Sequence, residues 1–563
     1  MTRRLAGAAA LASLMAVAAV MPAAHADQTY YVPVSRSWTI SGHGYGHGHG
    51  MSQYGAQGAA LQGLDYRRIA HFYYPHTTWS DAKGKVRVLI AADWTSDLQV
   101  RARPGLTVRD LADNAVWKLP AHDGIGSWRM TPAKDGSTAV EYHNGSGWHR
   151  WAIPGRRGTF KSDGQFHAPG PLTLLLPDGG SVVGKRYRGF LRISRPYPGA
   201  TSRDTVNVAT MDQYVQGVVP YEMPSSWRQQ ALRAQAVAAR TFAAWQRAQN
   251  SSRYYQICDT TACQVYGGMA AEAGSSNSAV QATAGQILRY QDKPAFTQFS
   301  SSSGGWTAGG GEPYLPAQKD PYDSFDGNSV HSWSVRVGAD KLEAQYPEIG
   351  RLVDLRVTSR DGNGAWNGRV QQIVLDGTQG KAFVTGDDFR WLLGLRSTWF
   401  TIAATPIMVR WRHLGGRTSD LVEPTSGEYA VAGGSAQNFS HGRIYWSAAT
   451  GAREVQGPSL AAYHGWGGPR SNLGFPVTGM LSAPAKGHKI KLQHGFIFST
   501  TRTGGHVLYG RVLERWGKAG GASSWLGYPT TDVFAIDGGL RAAFQHGVIS
   551  WDRSTDRYTV VRR

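Results

Sequence analysis

Apolar and polar positions change period several times along this 563-residue chain, and each change marks a different kind of element. Between 85 and 200, short runs such as KVRVLIAAD, TLLLP and RGFLRIS alternate or cluster apolar residues between glycine and proline breaks, which predicts β-strands. VNVATM continues that pattern into YVQGVVPYEMPSSWRQQALRAQAVAARTFAAW, residues 214–245. Here Trp227, Ala231, Ala234, Ala238, Thr241 and Trp245 recur at steps of four and three, one face of a long helix. Alanine on that face lets another backbone approach closely, so the spacing predicts a buried helix, with Ser225 or Ser226 as its cap. Strand patterning returns in RLVDLRVTSRD and GRVQQIVLDG, and Asp387 to Leu395 reads as a short helix that closes the mixed unit near Ile402.

A third pattern fills the C-terminal part. NFSHGRIYWS, KLQHGFIFST and AFQHGVISWD align on His441, His494 and His546, and SNLGFP and SWLGYP keep the same offset, a period near 53 residues. Such a period means stacked copies of one unit, each too small to bury its apolar face alone. The histidines are expected to serve a turn before each strand, and Tyr445, Trp446 and Trp551 are expected either to stack on sugar rings or to pack in the core. The fold class is therefore α+β: a β-rich unit with a central alanine-rich helix over 27–402, a connector over 403–425, and a β-rich repeat region over 426–563.

Arg3 and Arg4, an apolar run from Leu5 to Val20 and Ala24-His25-Ala26 before Asp27 have the layout of a secretory signal peptide, residues 1–26. No later segment has the length and apolarity of a membrane span. The expectation is a secreted chain with no membrane contact after signal cleavage. Lysine and arginine number 59 against 39 acids, a formal charge of +20. For an exported chain without a nucleic-acid motif, that charge points to anionic cell-wall polymers rather than nucleic acid.

Chemistry concentrates at Glu222, held between Pro220 and Pro224, whose fixed φ angles stiffen the Tyr221-Glu222-Met223 stretch. A rigid carboxylate suits proton transfer. A helix N-terminus nearby would stabilise its charge, whereas burial among Tyr221, Met223 and Trp227 would destabilise it, and the desolvation is expected to win. Cys258 and Cys263 either form a local disulfide, the simpler reading for an exported chain, or contribute to a zinc site. The run His43 to Gly50, with glycine at alternate positions, lacks acidic or cysteine partners at metal-ligand spacing, so it predicts backbone lining a groove rather than a metal. No cofactor is expected.

The segment VVPYEMPSSWRQQALRAQAVAARTFA resembles the signature of the stage II sporulation protein D/LytB family (SpoIID), whose glutamate in the EMP triplet is its catalytic acid/base. SGHGYGHGHGMSQYGAQGAA and QFSSSSGGWT resemble further family elements, and CDTTACQVYGG, DPYD, HSW and FRWLLGLRSTWF are similar in order and character. One departure is Gln229-Gln230, where many members carry Pro-Glu. The repeats resemble LGFP repeats, which implies wall association. The resemblance implies a lytic transglycosylase acting on peptidoglycan glycan strands. One acid/base suffices there because the C6 hydroxyl of N-acetylmuramic acid attacks its own C1, and ordinary glycosidases need a second carboxylate that this sequence does not offer near Glu222. It also implies substrate contacts from His47, Ser52, Gln53, Ser301, Ser302 and Gly304. Arg240 either holds a substrate carbonyl or carboxylate or is a buried structural residue. Some LytB relatives enhance a cell-wall amidase instead, so the alternatives are a non-catalytic enhancer with an amidase as partner, or a cell-wall-binding protein whose EMP turn is only structural.

Overall fold

The computed structural model describes residues 28–121 and 124–563, so the leader expected at 1–26 lies outside the described residues. Four helices, α1 (Gln53–Leu61), α2 (Tyr66–Tyr73), α3 (Met211–Glu222) and α5 (Gly274–Ala282), gather around the predicted alanine-rich helix, α4 (Gln229–Gln249). Its expected face is inside: Ala231, Ala234, Ala238 and Thr241 are fully buried. So are Ala236, Ala239, Ala243 and Ala244, because α1, α2, α3, α5 and the strand Gln286–Tyr290 surround α4 on most sides. Only a residue as small as alanine allows that many neighbours so near one axis. The start of the helix differs from expectation. Ser225 and Ser226 sit in a turn closed by the Trp227 amide donating to the Pro224 carbonyl (3.0 Å), and α4 begins after Arg228, whose side chain caps nothing. Proline at 224 and the required turn push the first helical residue past both hydroxyls.

The strands predicted over 85–200 form two seven-stranded sheets that share this first core. One of them pairs Asp204–Thr210 with Lys85–Leu89 on one side and Phe190–Ser194 on the other, and delivers the chain directly into α3. A second, separate core lies within the span 27–402. It combines the sheet Gln28–Tyr31, Leu352–Arg360, Val370–Gly377 and Lys381–Thr385 with Ser37–His43, Ser332–Gly338 and Phe400–Ile402. Helices α6 (Asp340–Gln345) and α7 (Gly386–Leu393) belong to it, and Ile40, Leu355, Ile373, Leu375, Phe389 and Phe400 are its interior. The described residues begin in this second core, cross to the first after His43, and return at Ser332. No described helix is long and apolar enough to cross a membrane.

Residues 403–425, expected as a connector, instead hold α8 (Pro406–His413) and a 3₁₀ turn at Gly416–Thr418. The same pair recurs as α9 (Gly457–Gly465) with Gly468–Arg470 and as α10 (Gly510–Lys518) with Gly521–Ser523. Each pair leads into a four-stranded antiparallel sheet, so 403–425 is the front of the first repeat. It escapes the sequence pattern because SDLVEP (419–424) has lost the glycine and aromatic of SNLGFP and SWLGYP. Leu421, Leu473 and Leu526 are nonetheless equally buried. Cores are shared between copies: Tyr445 and Val455 of one sheet pack with Tyr463 of α9 and with Leu473, Ile490 and Ile497 of the next copy. Tyr445 is thus a core residue, its hydroxyl bonded to His464 Nε2 (2.8 Å), and is closed to sugar stacking. The main chains of His441, His494 and His546 donate to the carbonyls of Leu421, Leu473 and Leu526, which fixes the turn and leaves the imidazoles exposed.

Gly474 and Gly527 have φ of 68° and 70°, and Val422 takes the same left-handed conformation at 64°, an outlier for a β-branched residue. The space explains how valine fits. A Cβ at 474 or 527 would stand 2.4 Å from Oε1 of Gln493 or Gln545, side chains that accept from the Phe475 and Tyr528 amides. The first repeat carries Ser440 where those glutamines stand, and the shorter side chain leaves room. Gly474→Ala should therefore cost about 1–2 kcal/mol from backbone conformation alone, and more while Gln493 is present. Combining it with Gln493→Ser should recover on the order of 1 kcal/mol in a double-mutant cycle read by urea unfolding. Strict additivity of the two changes would contradict this steric account.

Candidate active site

Sequence places Glu222 by ending a helix. Thr210 and Gln213 form a reciprocal capping box at the start of α3, and Pro220 enters its last turn without an amide hydrogen to donate. The Met223 amide still reaches the Val219 carbonyl (2.9 Å), but Met223 is extended (φ −133°, ψ 141°) and Pro224 prevents any return to helix. Glu222 is consequently the last residue of α3, not part of a free turn feeding α4. That reverses the expected helix field: the carboxylate sits at a negative C-terminal end, which disfavours its charge. Burial raises its pKa, and hydrogen bonds from the Gln53 side chain (Nε2 to Oε2, 3.1 Å) and the Val265 amide only partly oppose the rise.

Glu222 opens into a cleft of about 490 Å³. Phe242 and Trp245 of α4 form one wall with Phe296, the Trp245 and Phe296 rings lying 4.3 Å apart. Gln264, Gln298 and Thr261 add amide and hydroxyl groups, and among the lining residues Glu222 is the only carboxylate. The loop Thr261–Val265 is pinned by the disulfide joining Cys258 and Cys263, the latter facing the cleft. His47 lines the cleft from the His-Gly segment. Its Nδ1 accepts from the His49 amide (3.0 Å), so Nε2 carries the proton, and burial together with His49 and Arg369 pushes its pKa down to about 3. Its surroundings therefore favour the neutral imidazole.

The other expected contacts separate into two groups. Gln53 joins His47 at the site through its bond to Glu222. Ser52, Ser302 and Gly304 do not line the cleft; they turn inward onto Asp323. This buried carboxylate accepts from Ser52 Oγ (2.6 Å), Ser302 Oγ (2.9 Å), the amides of Ser303 and Gly304 (3.0 Å each), Asn328 Nδ2 (3.0 Å) and His331 Nδ1 (2.8 Å). Burial alone would raise the Asp323 pKa, but His331, Ser52 and Ser302 reverse the sign and hold it below the usual range. Ser52 Oγ also accepts the Gly55 amide (2.9 Å) as the N-cap of α1, which sets the position of Gln53 next to it. Ser301 is half-buried and offers its carbonyl to the Tyr54 amide (2.9 Å).

Arg240 is no ligand contact. It is fully buried beneath α4, ion-paired to Asp212 (2.8 Å) and donating to the carbonyls of Val280, Ala236 and Gln286. Sequence reasoning gave no role to Asp320 and Asp323, although DPYD and HSW are visible as motifs. Asp320 accepts from Tyr73 (2.9 Å) and Ser303 (2.8 Å), and burial with Asp323 nearby pushes its pKa up to about 6.

The family model for "Stage II sporulation protein" matches residues 200–290, a stretch that contains Glu222 and both cysteines. That for the LGFP repeat matches 422–471, 473–524 and 526–563. The chain is 36% identical over 141 residues to the "Amidase enhancer" of Bacillus subtilis (strain 168), a match covering 24% of this chain and 18% of that protein. It is 30% identical over 239 residues to "Stage II sporulation protein D" of Bacillus amyloliquefaciens, covering 38% of this chain and 64% of the relative. For the Bacillus subtilis (strain 168) protein of the same description the identity is 34% over 144 residues, covering 22% and 42%. The chain thus spans less than two thirds of the length of each of these relatives.

Because the fold favours the protonated Glu222, its contribution to stability is complete below the usual carboxylate range and is lost as pH rises through the raised value. Glu222→Gln should therefore melt above the parent protein at pH 7, and the two should converge near pH 3. Equal melting temperatures at both pH values would mean that the carboxylate is well solvated. Gln53→Leu, which removes a donor to the charged form, should raise the Glu222 pKa further in a carbon-13 NMR titration.

Proposed function

For a chain that carries a SpoIID family domain and C-terminal LGFP repeats, we propose the activity of a secreted lytic transglycosylase that cleaves the glycan strands of peptidoglycan. The observation that carries this reading is one protonatable carboxylate, Glu222, alone in a cleft walled by aromatic rings and amides. Aromatic rings stack on pyranose faces, and the side-chain amide of Gln298 matches N-acetyl and hydroxyl groups. Glu222 gives its proton to the glycosidic oxygen as the bond to C1 of N-acetylmuramic acid breaks. The C6 hydroxyl of the same sugar then attacks C1, and Glu222 takes the hydroxyl proton, so the enzyme is regenerated and the product ends in a 1,6-anhydro sugar. A second carboxylate is not required, because the nucleophile belongs to the substrate. Neutral His47 lines the cleft beside Glu222, and Gln53 acts as a brake on the acid's pKa.

The repeats, which begin at α8, hold the enzyme to the wall, assisted by the net charge of +20 on anionic wall polymers. A second reading follows from the resemblance to an amidase enhancer: the chain stimulates a wall amidase without cutting glycan itself.

Glu222→Gln should lower release of 1,6-anhydro products from purified peptidoglycan by about 10²–10⁴-fold, read by mass spectrometry. Equal product from parent and variant would remove Glu222 from the chemistry. If neither releases such products while an added amidase is accelerated, the enhancer reading replaces this one. Removing 404–563 should weaken co-sedimentation with insoluble walls more than it slows cleavage of soluble strands; the opposite ranking would reject this division of labour.

A further inference from the structure

His47 lines a second cavity as well, of about 330 Å³, formed where the His-Gly segment of the first core meets the second core. Its lining includes His49, Asp361, Arg369, Thr385 and Asp387, and it borders the N-terminal turn of α7, a site of positive potential. Arg369 is only 6% exposed. Its Nη2 donates to the Ser303 carbonyl (3.1 Å), and Gly48 makes room for it, since a Cβ at 48 would stand 2.2 Å from that nitrogen. Nη1 of Arg369 and Nδ1 of His49 are buried without a hydrogen-bond partner among the described residues.

A guanidinium remains charged in any protein, so a buried and unsatisfied one costs free energy that a ligand anion would recover. The nearby acids do not fill that role. Oδ1 of Asp361 is taken up by the amides of Asn363 (3.1 Å) and Arg369 (2.9 Å). The Asp387 side chain is 68% exposed and lies 3.8 Å from Arg390.

We infer that this cavity binds a carboxylate carried by the same polymer whose sugars occupy the Glu222 cleft, with Arg369 Nη1 and the Nδ1–H tautomer of His49 as its donors. The inference rests on the reading of that cleft as a glycan site, because His47 is the wall the two cavities share. In peptidoglycan the carboxylate has two sources: the lactyl group of a muramic acid that lacks its peptide, or the stem peptide itself. Either presents the planar acceptor pair that a guanidinium recognises.

The test is calorimetric binding to the full chain carrying Glu222→Gln, which prevents turnover. The probes are peptide-free muramyl oligomers, the same oligomers with lactyl carboxylates reduced to alcohols, stem-bearing oligomers with free or amidated stem carboxylates, and N-acetylglucosamine oligomers. A lactyl source predicts that reduction weakens binding about tenfold or more. A stem source predicts the same loss on amidation of the stem. Adding Arg369→Gln or, should that buried change prevent folding, His49→Asn should erase the difference. Equal affinity for carboxylate-bearing and carboxylate-free oligomers would overturn the inference while leaving the cleft reading intact. Carboxylate preference in a protein whose parent cuts no strand would uphold the inference and sink the cleavage reading. Failure of every oligomer to bind would reject both.

Discussion

One buried carboxylate, Asp323, holds the site together. It gathers two serine hydroxyls, two backbone amides, the Asn328 amide and His331 from segments far apart in the chain. A buried donor left without an acceptor costs about 1–3 kcal/mol, and Asp323 supplies the acceptor that these segments share. The geometry that follows reaches as far as Glu222. Ser52 is fixed by Asp323 and caps α1, so Gln53 emerges at a set position and bonds Glu222 from behind the cleft lining. The Ser-Gly segment is fixed by the same carboxylate and pairs with the His-Gly segment through Met51–Ser52 and Phe299–Ser300. Asp323 is therefore a positioning residue that touches no part of the cleft itself.

Glu222 illustrates how placement sets chemistry. At the end of α3 both burial and the helix field favour the proton, and only Gln53 and the Val265 amide favour the charge. A carboxyl biased this way can act as an acid at higher pH than an exposed one. The fold carries the corresponding instability once the carboxyl ionises. The neutral His47 beside it gains its state from the same low-dielectric surroundings, reinforced by the positive Arg369.

The repeats obey a different logic. α9 and α10 each pack between their own sheet and the preceding one, and α8 packs on the first sheet, so a copy can lose its signature letters and keep its place in the stack. SDLVEP shows this. Leu421 still fills the core, and Val422 tolerates a left-handed backbone because Ser440 has replaced the glutamine that excludes a Cβ in the other copies.

Local periodicity and local turn chemistry were enough to determine the alanine helix, the strand-rich surroundings, the 53-residue repeat and the isolation of Glu222 between two prolines. These features depend on residues a few positions apart, which a sequence displays directly. The tertiary structure alone decided the rest. It assigned Glu222 to the end of α3, split 27–402 into two cores, and turned 403–425 into the first repeat's helix. It also turned Ser52, Ser302 and Gly304 away from the cleft and sealed Arg240 against Asp212. The physical reason is range: Ser52 and Asp323 are 271 positions apart, and whether a hydroxyl faces a ligand or a buried carboxylate depends on which distant segment packs against it.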